Sequence, residues 1–122
     1  MDGQGSGGGG VGSWRRYWPA YCGEPAAAPP FPDMRLSLEA YSATFESLHA
    51  ELPGLAGRLV GLTVPTLFLH GSSSPMPVSA STDTAQAIGP AAAVQVLDGA
   101  GHFVWLERPG AVRAALDHLV KD

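Results

Sequence analysis

Apolar residues recur at spacings of three and four along Leu38, Tyr41, Phe45, Leu48 and Leu52. That rhythm is the mark of one apolar stripe on an amphipathic helix. It predicts a helix over 37–52, with Ser37 as its N-cap and Pro53-Gly54 as its stop. Glu39, Glu46 and His49 then face solvent. A short helical turn is expected over 55–60. The run from Thr63 to Leu69 is nearly continuous in its apolar character. It reads as a parallel strand buried on both faces, with Pro65 confined to its first residues because proline cannot donate to a ladder. Ala80, Thr84, Ala87 and Ile88 share a face and predict a helix over 79–88, capped by Ser79 or Ser81 and stopped by Gly89-Pro90. Ala92 to Asp98 has strand length and β-branched content. Pro109 to Val120 predicts a last amphipathic helix with Val112, Ala115, Leu116, Leu119 and Val120 inward. His118 faces outward there, and Arg113 and Asp117, four apart, pair weakly.

Two strands alternating with helices give an α/β chain, with a parallel crossover from 63–69 through 79–88 to 92–98. Two strands rarely make a stable core alone, so the unit is expected to need more sheet, and the edge of the first strand is open to pairing.

The N-terminal third has no such rhythm. Residues 1–13 are Gly/Ser-rich and predict a flexible tail, because such a segment buries too little surface to offset its ordering entropy. They lack the preceding strand and following Lys-Ser/Thr of a phosphate-cradling loop. Trp14, Tyr17, Trp18 and Tyr21 then precede Pro25, Pro29, Pro30 and Pro32. One or two helical turns fit there, interrupted near Pro19. These aromatics suit either the wall of a substrate pocket or packing against the next helix. The expected divisions are a tail at 1–13, an aromatic and Pro-rich segment with its helix at 14–53, and the α/β unit at 54–122.

Composition adds exclusions. The 122 residues suit one small domain, and a hydrophobic share of 45% with 15% charged residues fits a globular core. The net charge of −4 comes without a basic stripe, which argues against nucleic acid as the partner. The single cysteine, Cys22, excludes an internal disulfide and fits a reducing compartment. No apolar run approaches the roughly 20 residues that span a bilayer, and no signal-peptide core is present. The expectation is a cytoplasmic protein without membrane contact, metal or other cofactor.

The chemistry concentrates near one loop. Gly99-Ala100-Gly101-His102-Phe103 places a histidine between a strand and a helix, with Gly99 and Gly101 free to take positive φ and turn the chain around His102. Histidine titrates near neutral pH and is the usual general base. Upstream, Gly71-Ser72-Ser73-Ser74-Pro75 follows the first strand. Asp83 and Asp98 are the carboxylates nearest in sequence and read as surface or capping groups.

The histidine loop, running on through Trp105 and Leu106 to Glu107-Arg108-Pro109, resembles that of the α/β-hydrolase family. There a Gly-His-Phe segment follows the last strand and leads to Glu-x-Pro. Val64-Pro65-Thr66-Leu67-Phe68-Leu69-His70-Gly71 is similar to the family's preceding strand. The resemblance spans about residues 55–121 and implies a partial α/β-hydrolase fold, the C-terminal portion, with 14–53 in the place of a helical cap. It implies His102 as the catalytic histidine of a Ser-His-acid mechanism acting on esters, amides or related bonds. It places Ser74 where many members carry the triad's acid, and serine cannot supply the charge that stabilises an imidazolium. A Gly-x-Ser-x-Gly elbow is absent, since Pro75 stands in place of the last glycine. Glu107 is expected to hold the loop through backbone N–H groups, and Phe103 and Trp105 to pack around the imidazole. The chain alone is expected to be inactive, its small-molecule substrate belonging to a full-length protein. The alternative is a non-catalytic fragment or interaction module that binds a partner, or a second copy, through the exposed sheet edge.

Overall fold

The computed structural model describes residues 8–121. Helix α1 spans Gly8–Tyr17, and a 3-10 turn over Trp18–Tyr21 carries Pro19 in its first turn. A second such turn, Pro25–Ala27, leads by an extended stretch to α2, Leu38–Leu59. Strand β1 (Thr66–Gly71), α3 (Val78–Ile88) and β2 (Ala92–Leu97) follow. The short α4 (Val104–Glu107) and then α5 (Pro109–Leu119) complete the chain. Strands β1 and β2 pair in parallel, from Thr66 opposite Ala92 to Gly71 opposite Leu97. The result is a mixed α/β chain with a two-stranded parallel sheet and flanking helices.

The strands and the helices that flank them follow the apolar pattern closely. Five expectations need correction. The first seven residues of the stretch expected as a tail lie outside the described residues, but 8–13 belong to α1. The aromatics just downstream anchor that helix, with Trp14 and Tyr21 ring centroids 5.6 Å apart. Helix α2 does not stop at Pro53, so the division drawn at 53/54 falls inside it. A proline there removes one helical hydrogen bond and crowds the carbonyl of His49. His49 is exposed, and water can satisfy that carbonyl. Ser79 and Ser81 do not cap α3, which has Pro77 at its N-cap and no side-chain cap bond. On α5, Leu116 and Val120 do not turn inward but are 56% and 80% exposed, since a two-stranded sheet covers only part of that helix's apolar face, where Val112, Ala115 and Leu119 lie. Finally, the strands are not buried on both faces. Val96 is 46% exposed, because two strands leave each other half-covered.

Ser37 does cap α2, its hydroxyl accepting from Ala40 N at 3.1 Å. Yet Leu38, Tyr41, Phe45, Leu48 and Leu52 are all exposed, so the described residues leave this part of α2's apolar stripe uncovered. Gly57 sits in this helix with open space where a Cβ would stand. Gly57→Ala should therefore raise stability by about 0.5–1 kcal/mol, read as a shift of the urea midpoint without a change of slope.

Among the described residues the buried apolar ones are few: Trp18, Cys22, Ala85, Ile88, Ala100, Val104 and Ala115. Two small groups can be distinguished. Ala85 and Ile88 come from α3, which touches both strands. Trp18, Cys22, Ala100 and Val104 join the N-terminal aromatics to the histidine loop. Trp18 stacks on Phe103 at 5.1 Å, meets Phe31 edge-on at 5.5 Å, and donates its indole N–H to Pro29 O at 2.7 Å. Of the two readings open for residues 14–32, packing is what Trp18 does, and what it packs against is the histidine loop.

Candidate functional site

The C-terminal ends of two adjacent parallel strands deliver two loops to one place. Ser72 and Ser73 donate their N–H groups to Leu97 O and Ala100 O, at 3.0 and 2.9 Å, so the loop after β1 is laced to the loop after β2. The Ser72 hydroxyl accepts from Gly99 N at 2.8 Å and lies 3.4 Å from the Asp98 carboxylate. This lacing brings Ser74 Oγ to 2.9 Å from His102 Nδ1. Met76 N also donates to Ser74 Oγ, at 3.1 Å. Ser74 and His102, 28 residues apart, thus share a hydrogen bond with no charge on the serine side.

The imidazole is held from a third direction. His102 N donates to Tyr21 O at 2.7 Å, and the Tyr21 ring meets the imidazole edge-on at 5.5 Å. Phe103 packs edge-on against it at 5.1 Å. Trp105 differs from expectation. It is 56% exposed and packs on Phe103, with centroids 5.3 Å apart, so it supports the imidazole only through that ring.

Glu107 joins the two segments that flank the histidine. Its Oε1 accepts from Gly23 N at 2.7 Å and its Oε2 from Gly101 N at 2.8 Å. One carboxylate therefore ties the N-terminal aromatic segment, 84 residues away, to the histidine loop. Gly99 has φ of 72°, as a sharp turn requires, whereas Gly101 lies outside the positive-φ region. Gly101 is needed for space instead. A Cβ there would collide with Tyr21 O and press on Glu107 Oε2 and Cys22 C.

His70 and Ser81 were not singled out in the sequence as site residues, yet both line the same cavity. His70 is 7% exposed and sits at the end of β1. Its Nε2 lies 2.9 Å from Met76 O and its Nδ1 2.8 Å from Ser81 Oγ. A carbonyl only accepts, so Nε2 carries the proton, and in the neutral ring Nδ1 accepts from the Ser81 hydroxyl. The readable signal was the His-Gly pair closing an apolar run, followed by serines in the first turn of the next helix. Leu69, His70, Gly71, Ser74, Ala80 and Ser81 line, with Met76 and His102, an open cavity of about 240 Å³. The neighbouring carboxylates stay out of it. Asp83 is exposed on α3, and Asp98 turns toward Ser72. Among the described residues, no three His, Cys, Asp or Glu side chains gather as metal ligands, and no helix is long and apolar enough to cross a membrane.

Cys22 lies beneath this assembly, 6% exposed, its thiol directed at Trp18 O at 3.7 Å. Burial, and after it the Glu107 carboxylate, push the thiol pKa up. The folded state therefore keeps the thiol proton to a higher pH than the unfolded chain. Stability should fall as pH rises past about 8.5, where the unfolded thiol ionises first. Urea midpoints at pH 7 and pH 10 test this. Cys22→Ala should reduce the alkaline loss, and an unchanged loss would remove Cys22 as its source.

The chain is similar to epoxide hydrolase A of Mycobacterium tuberculosis, 44% identical over 64 residues. The match takes in 51% of this chain and 19% of that protein, so the chain spans about one fifth of the length of the curated relative it matches. No family model matches the chain, and no solved structure matches it significantly.

Proposed function

We propose that the chain is the C-terminal portion of an α/β-hydrolase, and that His102 is the proton-transferring histidine of its mechanism. The contact of Ser74 Oγ with His102 Nδ1, made by loops leaving two neighbouring parallel strands, carries this reading. Nδ1 is the nitrogen that an orienting acid engages in a nucleophile–histidine–acid arrangement, which leaves Nε2 to take a proton from a nucleophile or water. Ser74 fills the acid's position as a neutral hydrogen-bonding partner. The histidine is oriented but lacks the charge that stabilises its protonated form. Glu107, Phe103 and the Tyr21 carbonyl act as positioning groups. The substrate class is an ester, amide or related bond, and similarity to a protein named as an epoxide hydrolase adds the epoxide ring to that class.

Ser74 itself is a poor candidate for the nucleophile. The amides around it are engaged: Ser74 N with Gly71 O, Ser73 N with Ala100 O, Met76 N with Ser74 Oγ. Pro75 has no N–H, so none of these groups is free to hold a developing oxyanion. The chain alone is expected to show no turnover of an activated ester or a simple epoxide above its His102→Ala variant. A burst abolished by His102→Ala would overturn that expectation. The positive test is complementation. Mixed with an α/β-hydrolase cut before its last two strands, the chain should restore turnover, Ser74→Asp should raise it, and His102→Ala should abolish it. Restored turnover that survives His102→Ala would sink the assignment.

A second reading, a module that binds a partner strand, is favoured by the open edge of β1. Thr66 N and Ser72 N point toward β2. By alternation Leu67 and Leu69 direct their N–H groups to the open side. Hydrogen exchange at those two amides should slow when a strand pairs there. Rapid exchange at every protein concentration and with every tested partner counts against it.

A further inference from the structure

A buried imidazole costs free energy unless its nitrogens are satisfied, and an apolar ring of similar size would carry no such cost. His70 is buried, and both its nitrogens are engaged. Neither bond closes within β1. Nδ1 meets Ser81 on α3, and Nε2 donates to Met76 O in the loop between the two elements. Met76 has a particular place in that loop. The lacing to the histidine loop ends at Ser73 N, and Ser74 N closes on Gly71 O. Pro75 and Pro77 carry no N–H, so Met76 alone among residues 75–77 has one to give. It gives it to Ser74 Oγ, at 3.1 Å. The backbone of Ser74 is therefore held without His70. The direction of its hydroxyl is what Met76 sets, by selecting one of the three staggered positions open to a serine side chain. In that position Oγ lies 2.9 Å from His102 Nδ1.

We propose that His70 is a positioning residue for His102. By holding the Met76 carbonyl it aims the Met76 N–H at Ser74 Oγ, and so keeps that oxygen against His102 Nδ1. His70 itself acts only through these residues. Its own place is rigid, since it pairs in register opposite Val96 of β2, the strand that feeds the histidine loop. Both imidazoles are thus referred to the same two strands, His102 through its loop and Ser74 through His70. Freeing Met76 releases the Ser74 hydroxyl, while the Glu107 bonds to Gly23 and Gly101 remain. The consequence for turnover rests on the proposed hydrolase reading, and the geometry does not.

Side-chain nitrogen NMR of the full chain, recorded where the imidazoles are neutral, tests it without partner or substrate. In the unaltered chain His102 Nδ1 should be shifted by its bond to Ser74, and Ser74→Ala should abolish that shift. His70→Asn offers Ser81 an oxygen in the place of Nδ1 but falls short of Met76 O, and should lose the His102 shift as Ser74→Ala does. His70→Gln reaches farther and presents an NH₂ in the place of Nε2, so it should restore the shift. A merely structural role would lower the urea midpoint in both variants and leave their His102 signals alike. In the complementation assay His70→Asn should lower kcat about tenfold with KM unchanged, as the loss of orientation alone would. A His102 signal unchanged in His70→Asn, or altered equally in His70→Asn and His70→Gln, overturns the proposal and leaves the hydrolase reading standing. Turnover that survives His102→Ala removes that reading, while a His102 shift lost in His70→Asn and kept in His70→Gln would still support the positioning role.

Discussion

Gly101→Ala should cost about 3 kcal/mol of stability, because the new methyl has nowhere to go. Three backbone segments converge on this residue: the Tyr21–Cys22 stretch, the end of β1 and the histidine loop. The added Cβ would meet Tyr21 O, Glu107 Oε2 and the Cys22 carbonyl carbon. Two of these are backbone atoms, and the third is held by its hydrogen bonds to Gly23 N and Gly101 N. None is the free end of a flexible side chain, so relief requires the loops to part. The His102 N–H bond to Tyr21 O, at 2.7 Å, is the first casualty. Gly71→Ala should act alike, since its Cβ would strike Gly101 O and Ala100 O. Urea unfolding followed by Trp fluorescence measures the loss, and Trp18 reports it from inside the affected cluster. A loss below about 1 kcal/mol at Gly101 would mean that the three segments do not close on one another as described.

Glu107→Ala should cost about 2–3 kcal/mol, and it should do so at two identifiable places. The carboxylate accepts from Gly23 N and Gly101 N, and without it two backbone donors lose their partner. Hydrogen bonds to a charged acceptor are the stronger kind, and Glu107 is only half-buried, which tempers the figure. Hydrogen exchange separates this role from general destabilisation. The amides of Gly23 and Gly101 should lose protection first, while those within the β1–β2 ladder keep theirs in mild conditions. Glu107→Gln should fall between, since it retains one carbonyl oxygen but presents an NH₂ to the other donor. Uniform loss of protection across the chain would argue that Glu107 does not clamp these two segments in particular.

Both results bear on the proposed activity, because the same contacts hold His102. Tyr21 touches the imidazole from a segment that Glu107 ties, through Gly23 and Gly101, to the histidine loop. Any turnover restored by complementation should fall in Glu107→Ala even where the α/β unit remains folded.

Much of the fold was legible because its signals are local. The alternation of apolar runs with turn residues located β1, α3, β2 and α5 to within a few residues. Pro109 entered α5 where a missing N–H costs nothing, and Arg113 reaches Asp117 at 3.1 Å along that helix. His102 was legible as a histidine turned out by glycines between strand and helix. Even the order of the two loops, Ser74 before His102, was there to read, since parallel neighbouring strands put both loops at the same end. The stop at Pro53 misled because proline weakens a helix without being obliged to end one on an exposed face.

Other features depend on residues far apart in the chain, and no local pattern announces them. Glu107 reaches Gly23 across 84 residues. Gly101 is required by the backbone that crosses it, where the sequence suggested only a turn. His70 becomes part of the cavity because β1 ends against Ser81 and Met76 O, and Trp105 supports the imidazole only through Phe103. By itself, then, the amino-acid sequence determined the elements, their α/β order and the loop between strand and helix on which His102 lies, since periodicity and turn chemistry act over a few residues. Tertiary structure decided what holds that histidine and which apolar stripe goes uncovered, because those depend on which distant backbones meet, and on which do not.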